Sequence, residues 1–193
     1  MAHIKRETKE TQLEATLNLD GSGRFEGGIG VPFLEHMLDL FTRHGMFDLS
    51  ISGQGDTQVD AHHATEDLGI VLGLAFNQAA GDKQGIARYG VSYVPMDEAL
   101  ARVTVDLSGR SFFVWKVNLA GHHKVGDWDV ELAPEFWQGF AANAKCNFHA
   151  ELLYGSNAHH KIEAVFKAAA RALGMAVKID PRIDGVLSTK GTL

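Results

Sequence analysis

The stretch His62-His63-Ala64-Thr65-Glu66-Asp67 contains the pattern His-His-x-x-Glu, which returns as His159-His160-Lys161-Ile162-Glu163. If each copy opens a helix, its first His and its Glu lie one turn apart on one face and can hold a single cation together. The second His points about 100° away around the helix, because there are ~3.6 residues per turn. It cannot easily reach the same cation, so the two copies predict two metal sites.

The segments around the two motifs also correspond. Apolar and polar residues alternate from Thr11 to Asp20 and again from Ala101 to Leu107, which is typical of half-buried strands. Helical spacing of apolar residues follows Pro32 and Leu132, and another alternating strand precedes each motif. This order predicts an α+β fold made by tandem duplication of a strand, helix, strand, helix unit, with two sheets packed against helices.

A glycine-containing connector from Gly81 to Gly90 separates the two units. We therefore expect residues 1–90 to form the first α+β repeat, with the first His-His-x-x-Glu motif. Residues 91–193 then form the second repeat, with the second motif and the C-terminal tail.

The duplication also predicts which residues share a metal. His36 and Glu135 occupy nearly equivalent places on the earlier helix of each unit. Each site can then take one residue from that helix, the His and Glu of its own motif, and the second His of the other motif. The predicted site one is His36, His62, Glu66 and His160, and the predicted site two is His63, Glu135, His159 and Glu163. Imidazole and carboxylate ligands suit Mn, Fe, Co or Zn, and ligand type does not rank these ions.

Composition excludes several other classes of protein. The 193 residues are 45% apolar and 22% charged, with a net charge of −6, which is typical of a globular protein and argues against nucleic-acid or membrane partners. No run of 18 apolar residues occurs. The single cysteine, Cys146, excludes an internal disulfide, and we expect a cytoplasmic protein.

Seven ordered motifs resemble the imidazoleglycerol-phosphate dehydratase family of histidine biosynthesis. They are Pro32-Phe33-Leu34-Glu35-His36 with His44-Gly45, Asp60-Ala61-His62-His63, Met96-Asp97-Glu98-Ala99-Leu100, Asp106-Leu107-Ser108-Gly109-Arg110, Asn157-Ala158-His159-His160, Phe166-Lys167-Ala168 and Ser188-Thr189-Lys190-Gly191. The resemblance implies a fold like domain 2 of ribosomal protein S5, two Mn²⁺ ions per active site, and a 24-subunit homo-oligomer with sites between subunits. Family members from plants and enteric bacteria carry His at the position of Glu135.

The resemblance also implies roles for single residues. The reaction removes water from the glycerol chain of the substrate, through an imidazolate bound by two metals and a diazafulvene. Glu10 matches the acid/base group, the two His-His-x-x-Glu motifs hold the metals, and His36 and His44 lie near the substrate. The positions that match phosphate-binding residues are Arg88, Arg110, Lys167, Ser188, Thr189 and Lys190.

Two other functions compete with the dehydratase. A dinuclear metal-dependent phosphate-ester hydrolase would use the same ions to activate water, but its ions are ordinarily bridged ~3.5–4 Å apart. A metal-storage shell would need the ligands but not the cations of Arg88, Arg110 and Lys190.

Overall fold

Two four-stranded sheets with the same strand order form the framework of the computed structural model, which describes residues 1–193. The first sheet, in the order β1-β2-β4-β3, contains β1 (Ala2–Glu7), β2 (Thr11–Asn18), β3 (Arg24–Gly28) and β4 (Asp48–Gly55). The second, in the order β5-β6-β10-β7, contains β5 (Tyr89–Met96), β6 (Ala99–Asp106), β7 (Phe112–Lys116) and β10 (Asn147–Tyr154). The remaining elements are α1 (Pro32–Gly45), α2 (His62–Ala80), the hairpin β8 (Lys124–Val125) and β9 (Trp128–Asp129), α3 (Leu132–Ala144) and α4 (Ala158–Ala176).

Strand pairing repeats between the two sheets. In the first sheet, β2 pairs antiparallel with β1 and β4, and β3 pairs parallel with β4. In the second sheet, β6 pairs antiparallel with β5 and β10, and β7 pairs parallel with β10. The register places apolar residues opposite each other on the buried face, as in Leu17 opposite Leu49 and Val105 opposite Phe148. The predicted α+β duplication is therefore confirmed. The predicted boundary at Gly90 falls inside β5, and the division of roles between the two halves stays a prediction.

The predicted order of elements was incomplete, because β1, β3, β5 and the hairpin of β8 and β9 were not recognised. In β5 the buried residues are the small Gly90 and Ser92 together with Val94, whereas Tyr89 and Tyr93 face outward. Large side chains thus face solvent and small ones face the core, so the alternation of apolar and polar residues that usually predicts a strand is missing here. The short β3 ends in two glycines, which have low β-propensity.

Local sequence explains where the helices begin and end. Pro32 occupies the first turn of α1, and Oε1 of Glu35 accepts hydrogen bonds from the backbone N–H groups of Ile29, Gly30 and Val31 just before it. The side chain of Asn157 caps α4 by accepting a hydrogen bond from the His160 N–H. The α1 helix ends at Met46, which has a left-handed conformation.

The four helices pair across the two halves. Helix α1 packs on α4, and α2 packs on α3, while α2 also covers the first sheet and α4 the second. Glycines allow the close approach: a Cβ at Gly69 of α2 would lie 2.3 Å from the Phe136 carbonyl oxygen, and one at Gly174 of α4 would lie 3.0 Å from the Gly45 carbonyl oxygen. One cluster of 49 buried apolar residues runs through both halves. No helix combines the length and the hydropathy required to cross a membrane.

We expect Gly69→Ala to lower the free energy of unfolding. In an ordinary helix interior this change would stabilise the protein by ~1 kcal/mol, but here the new methyl group would overlap the Phe136 carbonyl oxygen. Overpacking of this kind typically costs about 1–3 kcal/mol. Urea unfolding measures the difference, and Gln78→Ala at an exposed position of the same helix serves as the control. A Gly69→Ala protein as stable as the parent would contradict the packing described above.

Candidate metal and substrate site

The two His-His-x-x-Glu motifs adopt nearly the same geometry. Nε2 of His62 lies 3.7 Å from Oε2 of Glu66, and Nε2 of His159 lies 3.0 Å from Oε2 of Glu163. The two rings of each pair diverge, with centroids 6.0 Å apart at 79° in the first motif and 6.2 Å apart at 73° in the second. Within each motif the first His therefore shares a face with the Glu, and the second His does not.

One group of potential metal ligands is assembled within this chain. The ligand atoms of His36, His159 and Glu163 all lie within 4.8 Å of one another, and Nε2 of His36 is 3.7 Å from Oε2 of Glu163. The group combines two imidazoles with one carboxylate, a donor set that suits a first-row divalent ion. Three protein ligands also leave room for further ligands in the coordination sphere. The residues therefore fit a metal ion.

This grouping differs from the one predicted from sequence. We expected His36 to join His62, Glu66 and His160, but His36 lies with His159 and Glu163 instead. The reason is helix packing, because α1 carries His36 and packs on α4 of the other half rather than on α2. The duplication correctly predicted equivalent helices, but it could not predict that each helix pairs across the halves.

The helix that carries Glu135 also packs on a helix of the other half. Glu135 is on α3, which packs on α2, and a Cβ at Gly139 would lie 3.0 Å from the Glu66 carbonyl oxygen. Glu135 is one turn before Gly139 on the same face of α3. The packing of α3 on α2 near Glu66 favours the first motif as the partner of Glu135, and the predicted role of Glu135 at site two stays a prediction.

Charge around Glu163 favours the ionised carboxylate. Burial alone would raise its pKa, since the residue is only 5% exposed, but a hydrogen bond and the charge of Lys167, together with His159, lower that pKa. The Lys167 Nζ lies 2.5 Å from Oε1 of Glu163 and His159 contacts Oε2. The carboxylate is therefore ionised, and its Oε2, on the side of His159 and His36, can serve as a metal ligand.

The second His of each motif contacts a different carboxylate. Nδ1 of His63 is 2.9 Å from Oδ2 of Asp56, and Nδ1 of His160 is 2.6 Å from Oε2 of Glu98. These hydrogen bonds raise the pKa of both imidazoles above the ordinary value. Neither ring joins the His36 group in this chain.

Glu10 lies in the turn between β1 and β2, next to the first motif. Its Oε2 is 3.9 Å from Nδ1 of His63, and its side chain is 56% exposed. Together with Asp56 and neighbouring polar residues it lines a shallow cleft that contains no apolar side chain. The carboxylate is thus accessible from solvent beside one of the candidate metal ligands.

Most of the predicted phosphate-binding residues come together around the C-terminal tail. A cavity of about 450 Å³ is lined by residues that include Arg88, Arg110, Ser188, Thr189 and Lys190. Arg88 donates from Nε and Nη2 to both oxygens of Asp106, at 2.7 and 3.1 Å, and from Nη1 to the Leu187 carbonyl oxygen at 2.7 Å. Arg88 therefore holds the tail in place, while Arg110 and Lys190 form no ion pair and bring positive charge to the cavity.

His44 and Lys167 are not part of this cavity. Lys167 lies beside Glu163, and His44, at the end of α1, lies near Lys167 and Arg171. The Arg88 N–H donates to the Ala176 carbonyl oxygen at the end of α4. The stretch of α4 from Glu163 to Ala176 is about 20 Å long at ~1.5 Å per residue, which separates the metal-ligand group from the tail cavity within one chain.

A family model and full-length relatives agree on what this chain is. The model described as imidazoleglycerol-phosphate dehydratase matches residues 29–173. An imidazoleglycerol-phosphate dehydratase from Pelobacter propionicus is 59% identical over 192 residues, covering 100% of this chain and 98% of the relative. One from Citrifermentans bemidjiense is 56% identical with the same coverage.

The chain belongs to the imidazoleglycerol-phosphate dehydratase family. Two solved structures share its fold. The dehydratase from Staphylococcus aureus has a TM-score of 0.84 and 42% identity, covering 93% of this chain and 99% of that one. The IGPD from Pyrococcus furiosus, solved in complex with (S)-C348, has a TM-score of 0.83 and 34% identity, covering 98% and 100%. The predicted family and fold are confirmed, and the family's dependence on metal agrees with the ligand group around Glu163.

Sequence reasoning about this dehydratase missed the carboxylates that hold the second histidines. Asp56 follows β4 and belongs to none of the motifs, and Glu98 is marked only by a family motif. The sequence does place both acidic residues in turns, and a turn at the same end of the sheet as a histidine pair can bring a carboxylate to the imidazole. Which acidic residue does so depends on the turn geometry, which the sequence does not give.

We expect the histidines of the metal-free protein to titrate at distinct pH values. His63 and His160 should lose their protons above 6.5, and His44 below it, because burial and the charges of Lys167 and Arg171 lower the pKa of His44. The raised pKa of His63 means that its contribution to stability is present below 6.5 and is lost as the pH rises through the folded-state pKa. For His44, whose pKa is lowered, stability is lost as the pH falls below 6.5.

Deuterium exchange at the histidine C2 position, followed by mass spectrometry across a pH series, gives each pKa separately. Asp56→Asn should return the pKa of His63 towards 6.5. Asp39→Asn, which removes a carboxylate that pairs with Arg43 on the surface of α1, should leave it unchanged. An unchanged His63 titration in the Asp56→Asn protein would contradict the role given to this hydrogen bond.

Proposed function

We infer that this chain catalyses the dehydration of imidazoleglycerol phosphate in histidine biosynthesis. The observation that carries this inference is the full-length similarity to dehydratases, which extends over both His-His-x-x-Glu motifs and the C-terminal tail. A metal-ligand group and a separate cationic cavity are the two features that binding an imidazole and a phosphate requires.

The two metal sites are proposed in a regrouped form. The first site combines His36, His159 and Glu163 with His63 of a second copy. The second combines His62, Glu66 and Glu135 with His160 of a second copy. The approach of the three ligand atoms within 4.8 Å supports the first set. The packing of α3 on the first turn of α2 supports the second. Mn²⁺ is the proposed ion because the family resemblance implies it, and the ligands also suit other first-row ions.

The chemistry requires loss of a proton from C2 of the glycerol chain and of a hydroxyl group from C3, next to the ring. When bound, the ions supply positive charge near the ring nitrogens, which makes the ring N–H easier to ionise. The C3 hydroxyl leaves with a proton as water, and C2 and C3 become joined by a double bond. The resulting enol gains a proton at C3 and loses one from its oxygen, which gives the ketone.

Glu10 is the residue proposed to take the C2 proton. Its carboxylate is exposed in the turn after β1 and lies 3.9 Å from the ring of His63, a proposed metal ligand. A base in this position would be close to a substrate whose imidazole lies at the metals, which is the first requirement for general base catalysis. The structure gives Glu10 no hydrogen-bond donor that would occupy its side-chain oxygens.

Within a single chain, the metal-ligand group and the tail cavity are too far apart to hold the two ends of one substrate molecule. The distance along α4 is about 20 Å, whereas the ring, the three carbons and the phosphate together span only about 8 Å at ordinary bond lengths. We propose that the phosphate cavity of Arg110, Ser188, Thr189 and Lys190 from one copy faces the metals of another. The 24-subunit assembly and the cytoplasmic location stay predictions, and Lys167 and His44 are proposed to contact substrate from the metal side.

The two competing functions have less support. A phosphate-ester hydrolase would ordinarily place its ions ~3.5–4 Å apart with a shared carboxylate, but the two motifs lie on different helix pairs. A storage shell gives no reason for a cavity lined by Arg110, Lys190 and the hydroxyl groups of the tail. Hydrolysis of phosphate esters by a metal-loaded protein that leaves imidazoleglycerol phosphate intact would favour the hydrolase.

We expect protein loaded with Mn²⁺ to release the keto phosphate from imidazoleglycerol phosphate, and chelation to stop the reaction. Glu10→Gln should lower kcat by about 10²–10⁴-fold, the usual contribution of a general base, and should leave Mn²⁺ binding unchanged. Glu26→Gln, which removes an exposed carboxylate from β3, is the control. Near-normal turnover of Glu10→Gln would remove Glu10 from this role.

Mixing two inactive variants tests the shared site. Glu163→Gln removes a proposed metal ligand, and Arg110→Met removes a proposed phosphate ligand. If each site takes these residues from different copies, a refolded equimolar mixture should recover about one quarter of wild-type activity, because random assembly pairs two intact halves in that fraction of the sites. A mixture as inactive as its components, despite mixed assemblies seen by native mass spectrometry, would show that both residues serve a site from the same chain.

A further inference from the structure

The second histidine of each motif is held in the same way in both halves. His63 and His160 each direct Nδ1 at a carboxylate oxygen, 2.9 Å away in Asp56 and 2.6 Å away in Glu98. Both side chains remain partly accessible, at 38% and 26% exposure. The first histidine of each motif differs, since it directs Nε2 at the Glu four residues later.

The two carboxylates come from positions that are not equivalent in the duplication. Asp56 follows β4 and precedes α2, whereas Glu98 lies in the turn between β5 and β6. The position in the first half that corresponds to Glu98 is the turn of Glu10, whose carboxylate is 3.9 Å from His63 and outside hydrogen-bond distance. The two contacts are therefore not copies of one contact that existed before the duplication, because each half uses a different segment to reach Nδ1 of its histidine.

The contact decides which nitrogen is available to a ligand. An imidazole whose Nδ1–H donates to a carboxylate carries its lone pair on Nε2, and the carboxylate fixes the ring and makes that nitrogen more basic. Glu98 is itself fixed, because its Oε1 accepts from the N–H groups of Ser156 and Asn157 at 3.0 and 2.7 Å. His160 is therefore held rigidly against the start of α4.

We propose that Asp56 and Glu98 are positioning residues that fix His63 and His160 with the lone pair on Nε2, ready to bind the metal ion of a second copy. The Asp97 carboxylate lies 3.7 Å from Nε2 of His160, beyond hydrogen-bond distance. This inference rests on the proposed function, which makes these two histidines ligands across a subunit contact. Neither carboxylate binds the ion or the substrate. Each acts through its histidine.

The test compares Asp56→Asn and Glu98→Gln with a matched control, Glu14→Gln. Glu14 also contacts a histidine, with Oε1 3.2 Å from Nε2 of His3, but on the exposed face of the first sheet. Nitrogen NMR of solid, metal-free protein labelled with ¹⁵N-histidine reports the tautomer of each ring at a pH where the imidazoles are neutral. We expect one histidine in each of the two test variants to shift its proton from Nδ1 towards Nε2, and no such shift in the control.

Binding of Mn²⁺ alone, measured by electron paramagnetic resonance of the free ion, supplies the second readout. Loss of such an orienting carboxylate typically weakens metal binding by about 10–100-fold. We expect this loss at one class of site in each test variant. Unchanged tautomers, or Mn²⁺ affinities within twofold of the parent in both variants, would overturn the proposal.

The design separates this proposal from the proposed function. If the parent protein binds no Mn²⁺ or fails to dehydrate the substrate, the proposed function is wrong whatever the variants do. If the parent binds and reacts while the variants match it, only the positioning role is wrong. Should Glu98→Gln fail to fold because it also anchors the start of α4, Asp56→Asn decides the question, since the Asp56 side chain forms hydrogen bonds only with His63.

Discussion

Close packing of helix backbones across the two halves is the constraint on which this structure depends. Gly69 of α2 faces the backbone of α3, and Gly174 of α4 faces the end of α1, at separations that leave no space for a side chain. Each half covers its sheet with a helix of its own, and the helices of the two halves then pack on each other. The same packing brings His36 of the first half to His159 and Glu163 of the second, so the metal-ligand group is a direct product of the packing.

Electrostatics divides the molecule into two regions at opposite ends of α4. At the start of the helix, Glu163 is buried among imidazoles and Lys167, which keep the carboxylate ionised in a position where an isolated charge would be costly. At the end of the helix, Arg88 donates to the Asp106 carboxylate and to the Leu187 carbonyl oxygen of the tail, and Arg110 and Lys190 supply further positive charge to the tail cavity. One region presents potential metal ligands and the other presents positive charge, and the length of α4 keeps them apart within one chain.

The sequence allowed the local geometry of the site to be predicted but not its assembly. The pairing of His62 with Glu66, and of His159 with Glu163, follows from helical periodicity alone, which acts within five consecutive residues. The partner of His36 depends on which helices pack together, and that choice is made by contacts far apart in the chain. The α+β duplication could be predicted from repeated patterns, whereas β5 could not, because its large side chains face away from the core. The contacts of Asp56 and Glu98 with the second histidines could not be predicted either, because the partner of a turn residue depends on the three-dimensional structure.

The turns after β1 and β5 show how two copies of one unit have become chemically different. Both turns carry a glutamate close to the second histidine of a motif. Glu98 is bound by backbone donors and by His160, which stabilise its anionic form so strongly that it is a poor proton acceptor. Glu10 has no such donors and stays available. The duplicated framework is therefore chemically unequal at its two turns, with an open carboxylate at Glu10 and a fully engaged one at Glu98.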